Sequence, residues 1–399
     1  MAELPMVLIL AGLAAYAVLG GADFGAGLWE LTARGHSGTE RREHIHHAMA
    51  PVWEANHVWL IFVLVVCWTA YPTAFASIAS TLTFPLFIAA VGIILRGTSY
   101  ALRSGEPSPR QEGALSVVFA LSSILTPFAL GAAAGAIASG RVPVGNAGGD
   151  AFSSWLNPTS VLVGLLAVGS AAYLAAVYLA GDARRADLPE LASLFRKRAL
   201  RAGLVVGAIA LAGPLVLRAD ARPLYDGLSS GLGLAAGFLS GAAGVAGLAL
   251  VYRWRFDLAR AAAAVAVSAI VAGWGLSQQP SFLPGLTLEQ AAASHSTLVA
   301  IAVASGLGVL VLGPSLALLF RLVLTGRFDT EGEAPPAAQR AGPAHTALGI
   351  PPAAAVATAG LGAAVAVVAQ GWLVGVGVTV MLVGAALAFL LLAAPGEES

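Results

Sequence analysis

The sequence is short of charged residues. Only 11% of its 399 residues are Asp, Glu, Lys or Arg, whereas 58% are hydrophobic and the mean hydropathy is +0.83. A soluble domain carries roughly twice this share of charge, because polar side chains must cover its core in water. So few charges cannot surround so apolar a chain, and a lipid bilayer is the solvent that fits this composition.

Cysteine is nearly missing, and so is any excess of one sign of charge. Cys67 is the only cysteine in the sequence, which excludes a disulfide framework, a cysteine-based zinc site and an iron–sulfur cluster. Acidic and basic residues number 21 each, so the formal net charge is zero. This balance gives no indication of a nucleic-acid partner.

Apolar runs long enough to cross a membrane are abundant. Nine predicted helices lie near 5–31, 51–70, 76–96, 113–137, 158–180, 200–218, 228–252, 258–276 and 296–322. A further apolar block at 350–394 is interrupted at Gln370-Gly371 and has the length of one or two more spans. The Pro- and Ala-rich stretch between them predicts a polar linker. The expected organisation is therefore a bundle at 1–326, a linker at 327–349 and a C-terminal block at 350–399.

The basic residues predict the orientation of the chain. If the N-terminus lies outside, 18 of the 21 Lys and Arg residues fall on the cytoplasmic side, and only Arg141, Arg218 and Arg222 fall outside. An excess of Lys and Arg in cytoplasmic loops is the usual pattern in membrane proteins. A wrong number of helices in the first 322 residues would destroy this alternation.

Four ionisable residues fall inside the first three predicted spans. Asp23 lies in the cytoplasmic half of the first span, Glu54 and His57 share a face of the second, and Arg96 ends the third. Charges inside a span are costly and indicate function by default. Two interpretations stay open, namely a proton relay or ion site, and a buried ion pair that only fixes helix packing. His57 suits packing as well as a relay, whereas a haem ligand is less expected because no second embedded histidine pairs with it.

The first cytoplasmic loop contains Arg41-Arg42-Glu43-His44-Ile45-His46-His47. His44 and His47 share a face if this loop is helical, which is compatible with a metal site. A plain basic loop explains the same residues more simply, so we expect no metal site. Tryptophans near the predicted helix ends are typical of aromatic belts at the membrane surface.

An ordered set of motifs gives the first 105 residues a specific resemblance. The set consists of Asp23-Phe24-Gly25-Ala26-Gly27, an Arg-rich loop, Trp53-Glu54-Ala55-Asn56-His57-Val58-Trp59-Leu60, Tyr71-Pro72 and Leu95-Arg96-Gly97. It resembles subunit II of cytochrome bd quinol oxidase, and weaker similarity continues to about residue 327. Together, the runs and the resemblance predict an all-α polytopic membrane protein. It would have about nine core helices in two helical bundles and one or two extra C-terminal helices.

The resemblance implies a role in the respiratory chain of a bacterial cell (inner) membrane. Such oxidases oxidise quinol and reduce dioxygen to water, with haems b and d in a separate subunit I. This chain would be subunit II, which binds no haem, has no catalytic residues and stabilises subunit I. Its other partners would be membrane lipid and quinone. In some members a quinone is lodged in subunit II, and small accessory subunits stay an open question. The resemblance implies a contribution of subunit II to a cytoplasmic proton route, for which Asp23, Glu54, His57 and Arg96 are the candidates, with an interhelical polar cluster as the alternative for the same residues. It implies helix-packing or motif roles for Gly25, Gly27, Trp53, Asn56 and Trp59.

The sequence also departs from the family pattern. The family commonly has Asp-Gly-Phe before the aspartate of the first helix, where this chain has Gly20-Gly21-Ala22, and it often has Asp where this chain has Glu54. The alternatives are a secondary transporter with an embedded carboxylate site and a purely structural scaffold. The second half of the chain has few embedded acids, which weakens the transporter alternative.

Overall fold

The structure, a computed structural model, describes residues 1–33, 36–49, 53–103 and 109–324, with six isolated residues beyond 357. The side chains of Trp53 and Glu54 are not among those described. Met1–Ser99 and Ser116–Leu324 form one compact unit, and Tyr100–Leu115 with Thr325–Ser399 form a second. The predicted linker and most of the C-terminal block lie outside the described residues.

Helices account for nearly all of the described chain. They are α1 (Glu3–Leu31), α2 (His36–Met49), α3 (Trp53–Ala70), α4 (Pro72–Thr81), α5 (Thr83–Arg103), α6 (Pro109–Ala138), α7 (Pro158–Arg185), α8 (Pro189–Asp220), α9 (Arg222–Leu228), α10 (Gly231–Tyr252), α11 (Phe256–Gln278), α12 (Leu288–Ala291) and α13 (His295–Leu324). Proline stands at the start of several of them, where its missing N–H has no helical partner to lose.

The predicted polytopic helical fold is confirmed. Eight described helices are long and apolar enough to cross a membrane, namely α1, α5, α6, α7, α8, α10, α11 and α13. The 18-residue α3 has a shorter apolar stretch at Asn56–Ala70 and corresponds to the remaining predicted span. Each of the nine predicted spans therefore overlaps a helix.

The predicted helix at 76–96 is wrong in its extent. The chain breaks at Leu82, which ends α4, and a separate α5 runs from Thr83 to Arg103. Pro85 explains the break, because its ring would clash with the preceding turn of a continuous helix but is tolerated in the first turn of a new one. Two other features also differ, since α8 begins at Pro189 rather than near 200 and the predicted first cytoplasmic loop contains the helix α2.

Two hydrophobic cores divide the compact unit, and α1 contributes to both. The first core joins the second half of α1 (Ala22, Ala26) to α7, α8, α10 and α11. The second joins the first half of α1 (Ile9) to α3, α4, α6 and α13. The predicted pair of helical bundles is thus present, with α1 between them.

The segments at the predicted outer end of the bundle are held by short-range structure. Strands β1 (Ser281–Leu283) and β2 (Leu286–Thr287) form an antiparallel hairpin, with Ser281 opposite Thr287 and Leu283 opposite Leu286. The Thr287 side chain then caps α12 through the backbone N–H of Gln290. This ordered connection leads from α11 into α13.

Candidate functional site

A buried ion pair between α1 and α5 forms the centre of the site. The Asp23 and Arg96 side chains are both fully buried. Arg96 Nε donates to Asp23 Oδ2 at 3.0 Å, and Nη2 donates to Oδ1 at 2.7 Å and to the Asp23 backbone oxygen at 2.6 Å. Both carboxylate oxygens are engaged, so the geometry is the bidentate arrangement that makes Arg–carboxylate pairs strong.

Helix α6 completes the surroundings of the guanidinium. Arg96 Nη1 donates to the Ser123 hydroxyl, which itself donates to the Phe119 backbone oxygen at 2.5 Å. The Arg96 Cζ atom lies 4.1 Å from the centre of the Phe119 ring and 5.2 Å from that of Phe24. Aromatic faces attract a desolvated guanidinium, so these contacts lower the free energy of burying the charge.

His57 joins this group through aromatic contacts. Its ring lies edge-on to Phe24, with ring centres 5.9 Å apart, and to Tyr16, at 6.0 Å. Phe24 therefore contacts both Arg96 and His57. Asn56, on the preceding position of α3, is also buried.

The glycines of the first motif allow close approach on two sides of α1. A Cβ atom at Gly25 would overlap the backbone carbonyl of Ala171 on α7. A Cβ atom at Gly27 would overlap the Ser123 hydroxyl and lie 2.9 Å from Arg96 Nη1. Gly25 therefore permits the contact between α1 and α7, and Gly27 leaves room for the hydrogen bond between Arg96 and Ser123.

A second buried carboxylate, Glu30, lies on the same face of α1 as Asp23. The two are seven residues apart, or about 10 Å along the helix. Glu30 is only 3% exposed, and its Oε1 accepts from the Ser116 hydroxyl at 3.1 Å. Its Oε2 lies 3.4 Å from Nε2 of His46 on α2. Glu30 was not among the predicted site residues because it stands in the last turn of a predicted span, where an acid is common. Its i, i+7 spacing from Asp23 was the signal that could have identified it.

Helices α1 and α6 present matching faces. On α6, Ser116, Phe119 and Ser123 follow one another at helical spacing, so Ser116 meets Glu30 while Ser123 meets the ion pair. The Phe119 ring lies between the two polar groups, since its centre is 5.7 Å from that of His46 and it also stacks on Arg96. The polar side chains thus form two groups that follow one another along α1 and α6, with His46, Glu30 and Ser116 on one side of the Phe119 ring and the ion pair with Ser123 on the other.

Of the predicted site residues, the structure brings Asp23, Arg96 and His57 into one cluster with Gly27. Asn56 is buried beside His57 on α3, and Trp59 is half-buried on the same helix. Glu54 and Trp53 lie on the first turn of α3, but their side chains are outside the described residues. In the part of the chain that the structure describes, no group of three or more His, Cys, Asp and Glu residues is arranged to hold a metal ion.

A separate ion pair lies at the opposite end of the bundle. Arg141 donates two hydrogen bonds to Asp220, at 2.9 and 2.7 Å, and Asp220 also accepts from the Thr159 backbone N–H and hydroxyl. These bonds raise the pKa of Arg141 above its ordinary value. The pair fastens the segment after α6 to the start of α7 and the end of α8.

These features define the class of the protein: it is a polytopic helical membrane protein with a charged cluster buried between α1, α5 and α6. The chain belongs to the family of subunit II of the cytochrome bd terminal oxidases, because the sequence model of that family matches residues 1–323. The residues from Asp23 to Ser123 that build the site all fall inside this match.

Individual relatives agree with the family. The chain is 28% identical over 129 residues to cytochrome bd ubiquinol oxidase subunit 2 of Bacillus subtilis, covering 32% of this chain and 38% of the relative. It is 29% identical over 176 residues to cytochrome bd-I ubiquinol oxidase subunit 2 of Escherichia coli, covering 41% of this chain and 44% of the relative. The matched segments therefore span about two fifths of these relatives.

The fold is similar to a solved structure along most of its length. The chain superposes on a chain of the bd oxidase from Geobacillus thermodenitrificans with a TM-score of 0.67 and 26% sequence identity. The similarity covers 81% of this chain and 98% of the other.

Proposed function

We propose that the chain is the haem-free second subunit of a cytochrome bd-type quinol oxidase. It would stabilise a first subunit that carries haems b and d, and it would conduct protons from the cytoplasmic side towards the site of oxygen reduction. Family membership supports this function over the secondary transporter. The observation that carries the proton route is the polar group of His46, Glu30 and Ser116, which lies next to the Arg96 cluster across the Phe119 ring.

Among the described residues, the surroundings of His57 and His44 do not fit a haem. An axial ligand needs a ring nitrogen directed at a haem-sized space. The His57 ring instead lies among the Tyr16 and Phe24 rings, and the His44 Nε2 is 3.1 Å from the Leu179 backbone oxygen. These contacts support a partner subunit as the holder of the haems, whose role would be to pass electrons from quinol to dioxygen.

The two buried carboxylates have different roles in this proposal. Protonation of Asp23 would break a bidentate ion pair and leave the Arg96 charge buried without compensation, so this pair holds α1 to α5. Glu30 instead contacts a hydroxyl and an imidazole, which can donate or accept hydrogen bonds, so its protonation breaks no bidentate ion pair. Glu30 and His46 therefore take up protons, and Glu54, on the first turn of α3, is the second proposed carrier.

The test is quinol-driven oxygen consumption by complexes that contain Glu30→Gln or Glu54→Gln. Glutamine keeps the side-chain volume and hydrogen-bonding capacity but carries no proton, so turnover per assembled complex should fall at least about tenfold. Glu289→Gln, at an exposed acid in α12, is the matched control and should keep full turnover.

Assembly is measured in parallel through the haem absorbance of each purified complex. Full turnover of a well-assembled Glu30→Gln complex would remove Glu30 from the route, and full turnover of both variants would overturn the proton-conducting role. A loss of haem absorbance without a loss of turnover per haem would assign these residues to assembly alone.

A further inference from the structure

Two helix ends lie side by side at the arginine-rich end of the bundle, which is the predicted cytoplasmic side. Helix α10 ends in a Schellman motif, in which Trp254 N–H donates to the Val251 oxygen at 3.1 Å and Arg255 N–H donates to the Leu250 oxygen at 2.9 Å. Helix α7 ends in the same way around Asp187. The two turns are joined by the ion pair between Arg185 and Asp257, at 3.0 Å.

Trp254 occupies a backbone position that usually belongs to glycine. Its φ angle is +61°, in the left-handed region, whereas the corresponding position after α6 is Gly140, with φ +71°. A residue with a Cβ atom is strained there. The Trp254 ring is held by Arg196 and Arg184, whose Cζ atoms lie 4.9 and 6.0 Å from its centre, and Arg184 also donates to the Trp254 oxygen at 3.1 Å. The turn therefore presents an aromatic ring among guanidinium groups.

A cleft of about 440 Å³ opens between the two turns. Its lining consists of Gly181, Arg184, Arg185, Trp254, Arg255, Phe256, Asp257 and Leu258. Three guanidinium groups face one carboxylate, so the lining is cationic. A second cleft of about 190 Å³ lies against Trp254 on the side of Asp187 and Leu188.

The guanidinium groups of the larger cleft are not all paired with carboxylates of the described residues. Arg185 is paired with Asp182 and Asp257, and Arg260, nearby on α11, also pairs with Asp182. The Arg255 side chain, by contrast, makes no hydrogen bond or ion pair with any other described residue, although its backbone closes the turn. One edge of the cleft is apolar, because Leu258 is 50% exposed there.

We propose that this cleft binds the phosphate headgroup of an anionic phospholipid. Arg255 and Arg184 would donate to the phosphate oxygens, Trp254 would lie at the level of the headgroups, and an acyl chain would pass along Leu258. Basic pockets between transmembrane helices on the cytoplasmic side suit anionic headgroups, and arginine binds phosphate through paired N–H donors. The exposed apolar edge favours a lipid over free phosphate. Free phosphate shares the chemistry of the headgroup but has no apolar part to contact Leu258.

The experiment titrates the purified, delipidated complex with phosphatidylglycerol and counts the bound lipids by native mass spectrometry. Arg255→Gln should weaken binding of one lipid about tenfold, as expected when a charged hydrogen bond is lost. The double variant with Arg184→Gln should abolish this binding. Lys197→Gln removes the same charge from an exposed position of α8 outside the cleft and should bind lipid as the unaltered complex does.

Arg255→Gln is the decisive variant, because this side chain makes no contact whose loss would unfold the turn. Equal lipid retention in all variants would overturn the proposal. Equal binding of phosphatidylcholine would also overturn it, because it would show unspecific adsorption. So would displacement of the bound phosphatidylglycerol by millimolar inorganic phosphate, if the site shows no preference for one lipid over another. The proposal does not depend on the oxidase function, since neither lipid count nor competition measures turnover.

Discussion

At the scale of single residues, the burial of Arg96 depends on several partners acting together. Asp23 neutralises its charge, and the Ser123 hydroxyl accepts a hydrogen bond from Nη1. Phe24 and Phe119 stack on the guanidinium. A buried ion pair is weak evidence for net stability, because desolvation opposes the attraction, but removal of one member leaves an uncompensated charge. The pair therefore specifies how α1 and α5 meet more than it stabilises the protein.

Asp23→Asn is expected to destabilise the assembled complex by about 3–5 kcal/mol, since Arg96 then stays buried without a counter-charge. The double variant Asp23→Leu/Arg96→Met, which removes both charges, should recover part of this loss. The measurement is thermal unfolding of the purified complex in detergent. If Asp23→Asn melts at the temperature of the unaltered complex, the ion pair does not hold these helices together.

The sequence indicated part of this site and concealed the rest. Asp23 and Arg96 were predictable because charges within apolar runs are rare and need a partner. Ser123 and Phe119 were not, because serine and phenylalanine are common in such runs and only the contact between α5 and α6 gives them a role. His46 could not be paired with Glu30 before α2 was known to be a helix packed against α1 and α7.

At the scale of helices, contact between α1 and α7 depends on small residues. Gly25 faces the Ala171 backbone, and the Trp29 indole N–H donates to the Ala172 oxygen at 2.8 Å one turn further along α1. Backbones approach this closely only where no side chain intervenes. The interface is therefore sensitive to a single methyl group.

Gly25→Ala should push α1 away from α7 and destabilise the complex by about 3 kcal/mol or more, because a backbone atom cannot move aside as a side chain can. Gly237→Ala in α10 is the control, since no described atom lies within 4 Å of the added Cβ and alanine is the better helix former. The yield of assembled complex and its melting temperature measure both effects. Equal behaviour of the two variants would contradict the close contact.

Helix existence was more predictable than helix extent. Apolar runs determine where a chain can cross a bilayer, so each of the nine predicted spans overlaps a helix of the structure. Runs do not fix where a helix continues into water, and α8 extends to Pro189 through Arg196, Lys197 and Arg198 because helical geometry tolerates these charges outside the lipid. The break at Leu82 could have been predicted from Pro85. The apolar sequence on both sides of Pro85 instead favoured a single continuous span.

At the scale of the whole molecule, the proposal that the partner subunit holds the haems can be tested directly. Expressed without a partner and purified in detergent, the chain should show no Soret absorbance, because the rings of His57 and His44 are engaged in contacts within the described part of the chain. Co-expression with the haem-bearing subunit should restore the band in the co-purified complex. Stoichiometric haem on the chain alone would contradict the proposal that it is the haem-free subunit.

The ion pair between α1 and α5 also sets an order of events during synthesis. Arg96 follows Asp23 by 73 positions, and a ribosome that adds about 5–20 residues per second needs about 4–15 s to make them. During this interval Arg96 is not yet available to the carboxyl of the first helix, and an unpaired carboxylate is costly in lipid. The carboxylate of the nascent first helix must therefore stay in contact with water or with another polar group until the helix bearing Arg96 arrives.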